Sequence, residues 1–365
     1  MKKIIPFVLC AFFLIACDAK PGYVISGMVD RDDLNGKYIY FYEYGVKDAV
    51  ALDSVIVENG AFTFKGVQET PVLRMLKFAD GVIGEEAYFS FAGFTPYMPW
   101  FVLDNSKLVV EVAENSSVTG SVENESLTAY MRQMDELEKK AEVIDENTED
   151  AEDRFNVVFD ERTVLSKAYI LEHNNSLAAA DIFYNLRHML SEEDRRAIVA
   201  NAGDVFKSAP NIDKIMGHLD ILAKVAIGKK FTDFEMADVK GEGHKLSEYV
   251  GNGKVVLIDF WASWCPPCRR DMSHLVEVYK QYKAKDFEIV GISLDSEPAK
   301  WEKGIDDLNI SWPQLSDLKG WENAGASLYG VNSIPHTVLV DKDGVIIAKD
   351  IRGEALDEKL MEILK

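Results

Sequence analysis

A multi-domain chain is predicted. An α/β domain at the C-terminus has a central mixed sheet flanked by helices, an all-β sandwich-like domain occupies the N-terminus, and a helical region joins them. Three observations carry this reading. From about Gly22 to Gly120 apolar residues alternate in short runs. From about Asn124 to Ile227 they recur every three or four residues. From Gly228 onward, strand-like apolar runs alternate with helical stretches. A chain of 365 residues is long enough for two or three cores. The expected divisions are 1–16 as a leader, 22–120 as the β domain, 124–227 as the helical domain and 228–365 as the α/β domain.

In the first stretch, "KYIYFYEY" (Lys37–Tyr44) sets Tyr38, Tyr40, Tyr42 and Tyr44 on one face of a strand and Ile39 and Phe41 on the other. Such a tyrosine stripe reads as a half-covered sheet face. "ALDSVIVENGAFTFKG" (Ala51–Gly66) reads as strand, Asn59-Gly60 turn, strand, and "KLVVEV" (Lys107–Val112) as a further strand. In the second stretch Leu127, Tyr130, Met131, Met134, Leu137 and Ala141 line one helical face. "SEED" (Ser191–Asp194) has the form of an N-cap followed by acids, where the helix dipole favours them. The acidic run Ile144–Asp153 reads as a solvated connection or an exposed helix start. In the third stretch "KVVLIDFWA" is a buried strand, followed by a helix from about Pro266 to Lys285. "FEIVGISLD" (Phe287–Asp295) is the next strand, and a helix runs from about Pro298 to Leu308. His336–Ile351 is a strand pair about a Lys342-Asp343-Gly344 turn, and Ala355–Leu364 is a closing helix.

The formal net charge of −21 and sequence pI near 4.7 disfavour nucleic acid and anionic membrane surfaces as partners, since phosphates are repelled at long range. The N-terminus reads as a targeting segment. Met1, Lys2 and Lys3 are its positive start, and Ile4–Ala16 is apolar but shorter than the ~20 residues that span a bilayer. Leu14-Ile15-Ala16-Cys17 resembles the bacterial lipoprotein cleavage box. That resemblance implies that Cys17 becomes the lipidated first residue of a mature chain anchored outside the cytoplasm. Of four cysteines, only Cys265 and Cys268 then remain in the mature body. A bridge between them closes too short a loop to restrain the unfolded chain much, so stability is a poor reason for it.

"WASWCPPCRRDM" (Trp261–Met272) follows a buried strand and opens a helix. Unpaired N–H groups and the dipole at a helix N-terminus stabilise a thiolate. Cys265 is expected at the cap and partly exposed, with Cys268 in the first turn and more buried. That spacing brings two sulfurs to bonding distance, so one can attack and the other resolve in a two-electron exchange.

"VVLIDFWASWCPPCRRDM" resembles the thioredoxin fold, and within it the membrane-tethered thiol-disulfide oxidoreductases of the TlpA/ResA type. Supporting residues are the lead-in Asp259-Phe260-Trp261-Ala262, Trp264, "SIPHTVLVDKDG" and "GISLDSEPAKW", all within Lys229–Lys365. The β-rich N-terminal stretch resembles regions that precede thioredoxin-like domains in bacterial lipoproteins. The resemblance implies that Cys265 is the nucleophile, Cys268 the resolving thiol, and the two together the redox disulfide. It makes Asp259 the buried acid that relays a proton to the resolving cysteine, its pKa raised by desolvation. Asp271 matches an acidic position that these relatives often fill with glutamate, and is one methylene shorter. Pro335 matches a cis-proline facing the disulfide, with Ile334 before it as backbone that pairs with substrate. Trp264 is expected to shape the substrate groove. The lysine that often joins the buried acid in cytoplasmic thioredoxins is missing, Gly291 standing at the corresponding position. Neither Pro266 nor Pro267 has an N–H to offer the Cys265 sulfur, and Asp259 and Asp271 add negative charge nearby. Both effects favour a reductant over a strong oxidant.

Other readings fit less well. Zinc needs a second ligand pair, and only His274 and His336 lie near the motif in this domain. Covalent haem needs histidine where Arg269 stands. A peroxiredoxin-like peroxidase is suggested by "KKFTDFEM", but the expected Pro-x-x-x-Thr/Ser-x-x-Cys spacing meets Ile258 and Ala262 instead. The function expected is therefore exchange, most simply reduction, of disulfides in exported client proteins. It needs no cofactor and no metal, and a membrane thiol reductase would serve as electron donor. The alternatives are a ligand-binding lipoprotein with a secondary redox domain, and an oxidant or isomerase. The expected location is the periplasmic side of the cell envelope, at a membrane through the lipid anchor.

Overall fold

The computed structural model describes residues 22–83 and 95–364. The apolar leader and the lipidation position Cys17 lie outside them. The chain divides into two compact units, Met1–Asp213 and Lys214–Lys365.

Among the described residues the first unit opens with eight strands: β1 (Tyr23–Val29), β2 (Tyr38–Glu43), β3 (Asp53–Ile56), β4 (Ala61–Gly66), β5 (Val72–Phe78), β6 (Trp100–Leu103), β7 (Lys107–Val112) and β8 (Ser117–Thr119). They form two four-stranded sheets, in the orders β4-β1-β7-β8 and β3-β2-β5-β6. Alternation decides which side chains meet between the sheets. Ile25, Phe62, Phe64, Leu108 and Val110 come from one sheet, Ile39, Phe41, Leu76, Phe78, Phe101 and Leu103 from the other, and all are buried in one core. Tyr38, Tyr40 and Tyr42 stand on the opposite face of β2, with neighbouring rings 6.3 and 6.2 Å apart. The Asn59-Gly60 turn is present, both residues having positive φ (52° and 74°). Its two strands do not stay together, however: β3 pairs with β2, whereas β4 pairs with β1. The turn is thus a corner between sheets, a distinction that alternation within each strand cannot reveal.

Five helices follow: α1 (Val122–Glu142), α2 (Ala151–Glu172), α3 (Leu177–Leu186), α4 (Glu192–Asn201) and α5 (Asp204–Ser208). Ser121, Ser176 and Ser191 cap α1, α3 and α4 through their side-chain oxygens. The buried Asn124 side chain accepts from the Val102 N–H (2.9 Å) and donates to the Val102 carbonyl (2.8 Å), so the first turn of α1 is bonded to β6. A sixth helix, α6 (Ile212–Lys224), spans the division between the units. No helix among the described residues is long and apolar enough to cross a membrane.

The second unit begins with a short hairpin, β9 (Glu235–Ala237) and β10 (Gly243–Lys245). It continues through β11 (Val255–Trp261), α7 (Pro266–Tyr282), β12 (Phe287–Ser293), α8 (Pro298–Asp307), β13 (Gln314–Leu315), α9 (Ala324–Tyr329), β14 (His336–Val340), β15 (Ile346–Lys349) and α10 (Gly353–Ile363). The sheet order is β13-β12-β11-β14-β15. β11 pairs in parallel with β12 and antiparallel with β14, which makes the sheet mixed. Every residue of β11 is buried, as expected of a central strand whose apolar run is interrupted only by Asp259. α7 turns Cys268, Met272, Leu275, Tyr279 and Tyr282 inward at alternating spacings of four and three. The fold is a thioredoxin fold, with a β-rich N-terminal part and a helical middle region before it.

Candidate active site

The site is built where β11 ends and α7 begins. A loop of three residues, Ala262–Trp264, separates strand from helix, and a buried acid sets its shape. Asp295, just past β12, accepts from the Ser263 N–H (2.9 Å) and Ser263 Oγ (2.6 Å), and from Ser293 Oγ (2.8 Å). Cys265 is the N-cap of α7, with Pro266 and Pro267 at the first two helical positions. Proline fits there because its fixed φ suits a helix start and the missing N–H would have no helical partner. The first available N–H of the helix is that of Cys268, which donates to Cys265 Sγ at 3.2 Å. The two cysteines are joined as a disulfide, their Cα atoms 5.3 Å apart.

Cys265 is only 3% exposed and Cys268 is 1% exposed. The expectation that Cys265 would be partly exposed is therefore corrected. The Ile334–Pro335 segment lies against it, with the Ile334 carbonyl oxygen 3.8 Å from Cys265 Sγ, and the peptide bond between Ile334 and Pro335 is cis. Among the described residues, neither the N–H nor the carbonyl of Ile334 makes a backbone hydrogen bond. On the outer side Trp264 is 49% exposed. Its ring lies 6.2 Å from that of Trp321, itself 51% exposed, in the turn before α9. A sequence reading had no means of finding Trp321, which is 56 residues beyond Cys265 and carries no local motif.

Asp259 lies on β11, opposite Gly291 of β12 and Thr337 of β14. It is fully buried, and its Oδ2 has no hydrogen-bond partner. Burial raises its pKa to about 7, the Asp271 charge pushes the same way, and the Arg352 guanidinium opposes it. Asp271, one turn into α7, is half-exposed and forms an ion pair with Arg352 at 3.3 Å. A cavity of about 90 Å³ joins these groups, lined by Asp259, Arg270, Asp271, His274, Thr337 and Arg352, and several waters fit in it. The position without lysine is occupied differently. A Cβ on Gly291 would lie 2.2 Å from Nε2 of Gln314, whose Oε1 accepts from Trp261 Nε1 at 2.8 Å. His274 pairs with Asp357 (3.0 Å) and His336 with Asp350 (2.7 Å), so both histidines near the cysteines are held by carboxylates.

Residues 227–349 match the AhpC/TSA family, and residues 23–127 match a domain of unknown function, DUF4369. The thiol-disulfide oxidoreductase ResA of Bacillus cereus is 32% identical over 161 residues, covering 44% of this chain and 90% of that protein. The chain belongs to this thiol-disulfide oxidoreductase family. ResA of Bacillus thuringiensis subsp. konkukian is 34% identical over 142 residues, covering 39% of this chain and 79% of the relative. A solved thiol-disulfide oxidoreductase from Bacteroides fragilis is 36% identical, covers 37% of this chain and 100% of its own, and superposes with a TM-score of 0.36.

In this oxidoreductase the structure brings Cys265, Cys268, Trp264, Ile334 and Pro335 together around the disulfide. It places Asp259 and Asp271 beneath, on a separate cavity that α7 shares with the start of α10. Three contributors had no signature in the sequence. Asp295 lies within "GISLDSEPAKW" without any sign that it grips the loop before Cys265. Trp321 and Arg352 reach the site from loops distant along the chain.

Proposed function

We propose that this oxidoreductase reduces disulfides in exported proteins. A Cys265 thiolate attacks one sulfur of a client disulfide. The client S–S bond breaks, one client sulfur leaves as a thiolate and takes a proton from solvent, and a mixed disulfide forms on Cys265. Cys268 then gives its proton to the Asp259 carboxylate and attacks Cys265 Sγ. The second client sulfur leaves with the electron pair and is protonated in turn. The client has gained two electrons and two protons, and the enzyme holds the Cys265–Cys268 disulfide. A membrane thiol reductase returns it to the dithiol.

The observation that supports the reducing direction is the hydrogen bonding of Cys265 Sγ. It receives the Cys268 N–H, while the two intervening residues are prolines with no N–H to give. Strong oxidants of this fold owe their potential to a well-solvated thiolate, which stabilises the reduced form. Here that solvation is thin, and two acids, Asp259 on β11 and Asp271 on α7, line one cavity beside the helix. Trp264, Ile334 and Pro335 are read as the substrate contacts: an extended client segment can pair with the free backbone groups of Ile334, as an added strand does. Cys17 is read as the lipid anchor, which would keep the enzyme at the membrane on the periplasmic side.

Equilibration of the full chain with glutathione buffers tests the direction of electron flow. A potential near about −270 mV is expected, whereas one near about −120 mV would make the protein an oxidant. Cys268→Ala expressed in the native host should accumulate clients disulfide-linked to Cys265, identifiable by mass spectrometry. A variant that captures no protein would remove the client-reductase reading.

A further inference from the structure

The cavity beside Asp259 has one fully buried end and one exposed end. At the buried end is a carboxyl with an unpartnered oxygen. At the exposed end are Asp271 and Arg352, both half-exposed and 3.3 Å apart. Between them is space for several waters. A proton that reaches Asp259 during turnover must leave again, and this is a polar route from that carboxyl to solvent.

We propose that Arg352 is a positioning residue for proton transfer. It holds the Asp271 carboxylate at the solvent end of the cavity, and the balance of these two charges adjusts the proton exchange of Asp259 within the range its burial sets. This rests on the reading of Asp259 as the proton-transfer group.

The groups that face Asp259 are few. α7 offers Arg270, Asp271 and His274, and the segment before α10 offers Arg352. His274 is engaged by Asp357. From β14 comes Thr337, whose hydroxyl donates to the Ile351 carbonyl (2.9 Å), and from β12 comes Gly291, with no side chain. His336 stands opposite Phe260 and so belongs to the other face of the sheet, where Asp350 holds it. Among the described residues, the charged pair left to influence Asp259 is thus Asp271 with Arg352, with Arg270 beside it. Their effects oppose each other. The Asp271 anion raises the pKa of Asp259, and the Arg352 cation lowers it. Two residues that form one ion pair therefore have contrary effects on a third.

That opposition separates a positioning role from a structural one. If the ion pair merely braced α7 against α10, removing either partner would loosen the same contact and act in the same direction. The test follows the Asp259 side-chain carboxyl by ¹³C NMR across pH in the oxidised full chain, its signal assigned by its loss in Asp259→Asn. With both cysteines in the disulfide, neither titrates, and no direction of electron flow enters the measurement. Failure here therefore leaves the reductase reading standing, and failure of client capture leaves this one standing. The expected result is a midpoint that moves up in Arg352→Gln and down in Asp271→Asn, each by about half a pH unit or more. Arg352→Lys should lie nearer the wild type than Arg352→Gln does, because it keeps the charge. Shifts of the same sign in the two variants, no shift in either, or a lysine variant indistinguishable from glutamine would each overturn the proposal. Should Arg352→Gln fail to fold, Asp271→Asn and Arg352→Lys still decide it. A midpoint that does not fall in Asp271→Asn, or a lysine variant with a midpoint above the wild type by half a unit, overturns it.

Discussion

Replacing Asp259 by asparagine should make the oxidised protein more stable relative to wild type as pH rises. The folded-state pKa of Asp259 is raised to about 7, against about 3.9 in an unfolded chain. Below about pH 4 both states keep the proton, and the acid contributes nothing to pH dependence. Between pH 4 and 7 the unfolded chain releases the proton while the folded protein retains it. Each unit of rising pH then removes up to 1.36 kcal/mol of wild-type stability. Above 7 both states are ionised and the loss levels off. A raise of about three units makes the whole effect on the order of 4 kcal/mol, about 3 kcal/mol of it falling between pH 5 and 8. Asparagine has no proton to lose, so its curve lacks this slope. It carries an offset of its own, about 1–3 kcal/mol, because an amide placed where Oδ2 has no partner is left unsatisfied. The offset is the same at every pH, and the difference in slope is therefore the quantity to measure. Urea denaturation followed by tryptophan fluorescence suits this protein, because five of its six tryptophans lie at or beyond Trp261 and report on the second unit. Wild-type and variant curves that run parallel from pH 5 to 8 would refute the argument, since an acid titrating normally in both states leaves no slope to remove.

Two further outcomes follow from the same geometry. Trp264→Ala and Trp321→Ala should each lower kcat/KM for disulfide-bonded proteins by roughly tenfold, the effect of about 1.4 kcal/mol of lost aromatic contact, while exchange with a small dithiol stays within about twofold. Equal losses on both substrates would show that the rings support the site rather than contact clients. Gly291→Ala forces the amide of Gln314 away from its place and breaks its bond to Trp261 Nε1, leaving a buried donor unpaired. Urea denaturation should find a loss of about 1–3 kcal/mol, and an unchanged midpoint would mean that Gln314 swings aside freely.

Local chemistry made much of this protein readable. An apolar run interrupted only by Asp259 reads as a buried strand, and β11 is one; the cysteine motif after it reads as opening a helix from about Pro266, and α7 begins there. The spacing of Cys265 and Cys268 fixed their relation because both lie within one turn of one helix. Alternation in β1 to β8 exposed the apolar faces, but not which sheet each strand would join, since alternation records the face of a strand and not its neighbour. Hence the Asn59-Gly60 turn was legible, and the parting of β3 from β4 was not. The same limit applies to the site. Trp321 beside Trp264, Arg352 beside Asp271 and Gln314 against Gly291 are each pairs brought together by the fold from positions more than 20 residues apart. The burial of Cys265 was missed for a related reason. The Ile334–Pro335 segment that lies against it arrives from 69 residues further on.

The missing lysine shows how one acid site can be assembled from different parts of the chain. On β12, the position opposite Asp259 has no side chain, and the space it would need is taken by Gln314, which is in turn bonded to Trp261. A cation cannot be supplied from that side without dismantling the contact that holds Trp261. The cation comes instead from the segment before α10, and it meets Asp271 rather than bonding to Asp259 itself. This arrangement changes what governs the acid. A buried lysine would act on Asp259 through protein of low dielectric, whereas the half-exposed Arg352 acts partly through water and is weakened by salt. Burial, the first cause of the raised pKa of Asp259, is untouched by ionic strength. The carboxyl is thus kept near neutrality by its place in the sheet, and the two charges at the solvent end adjust it within that range.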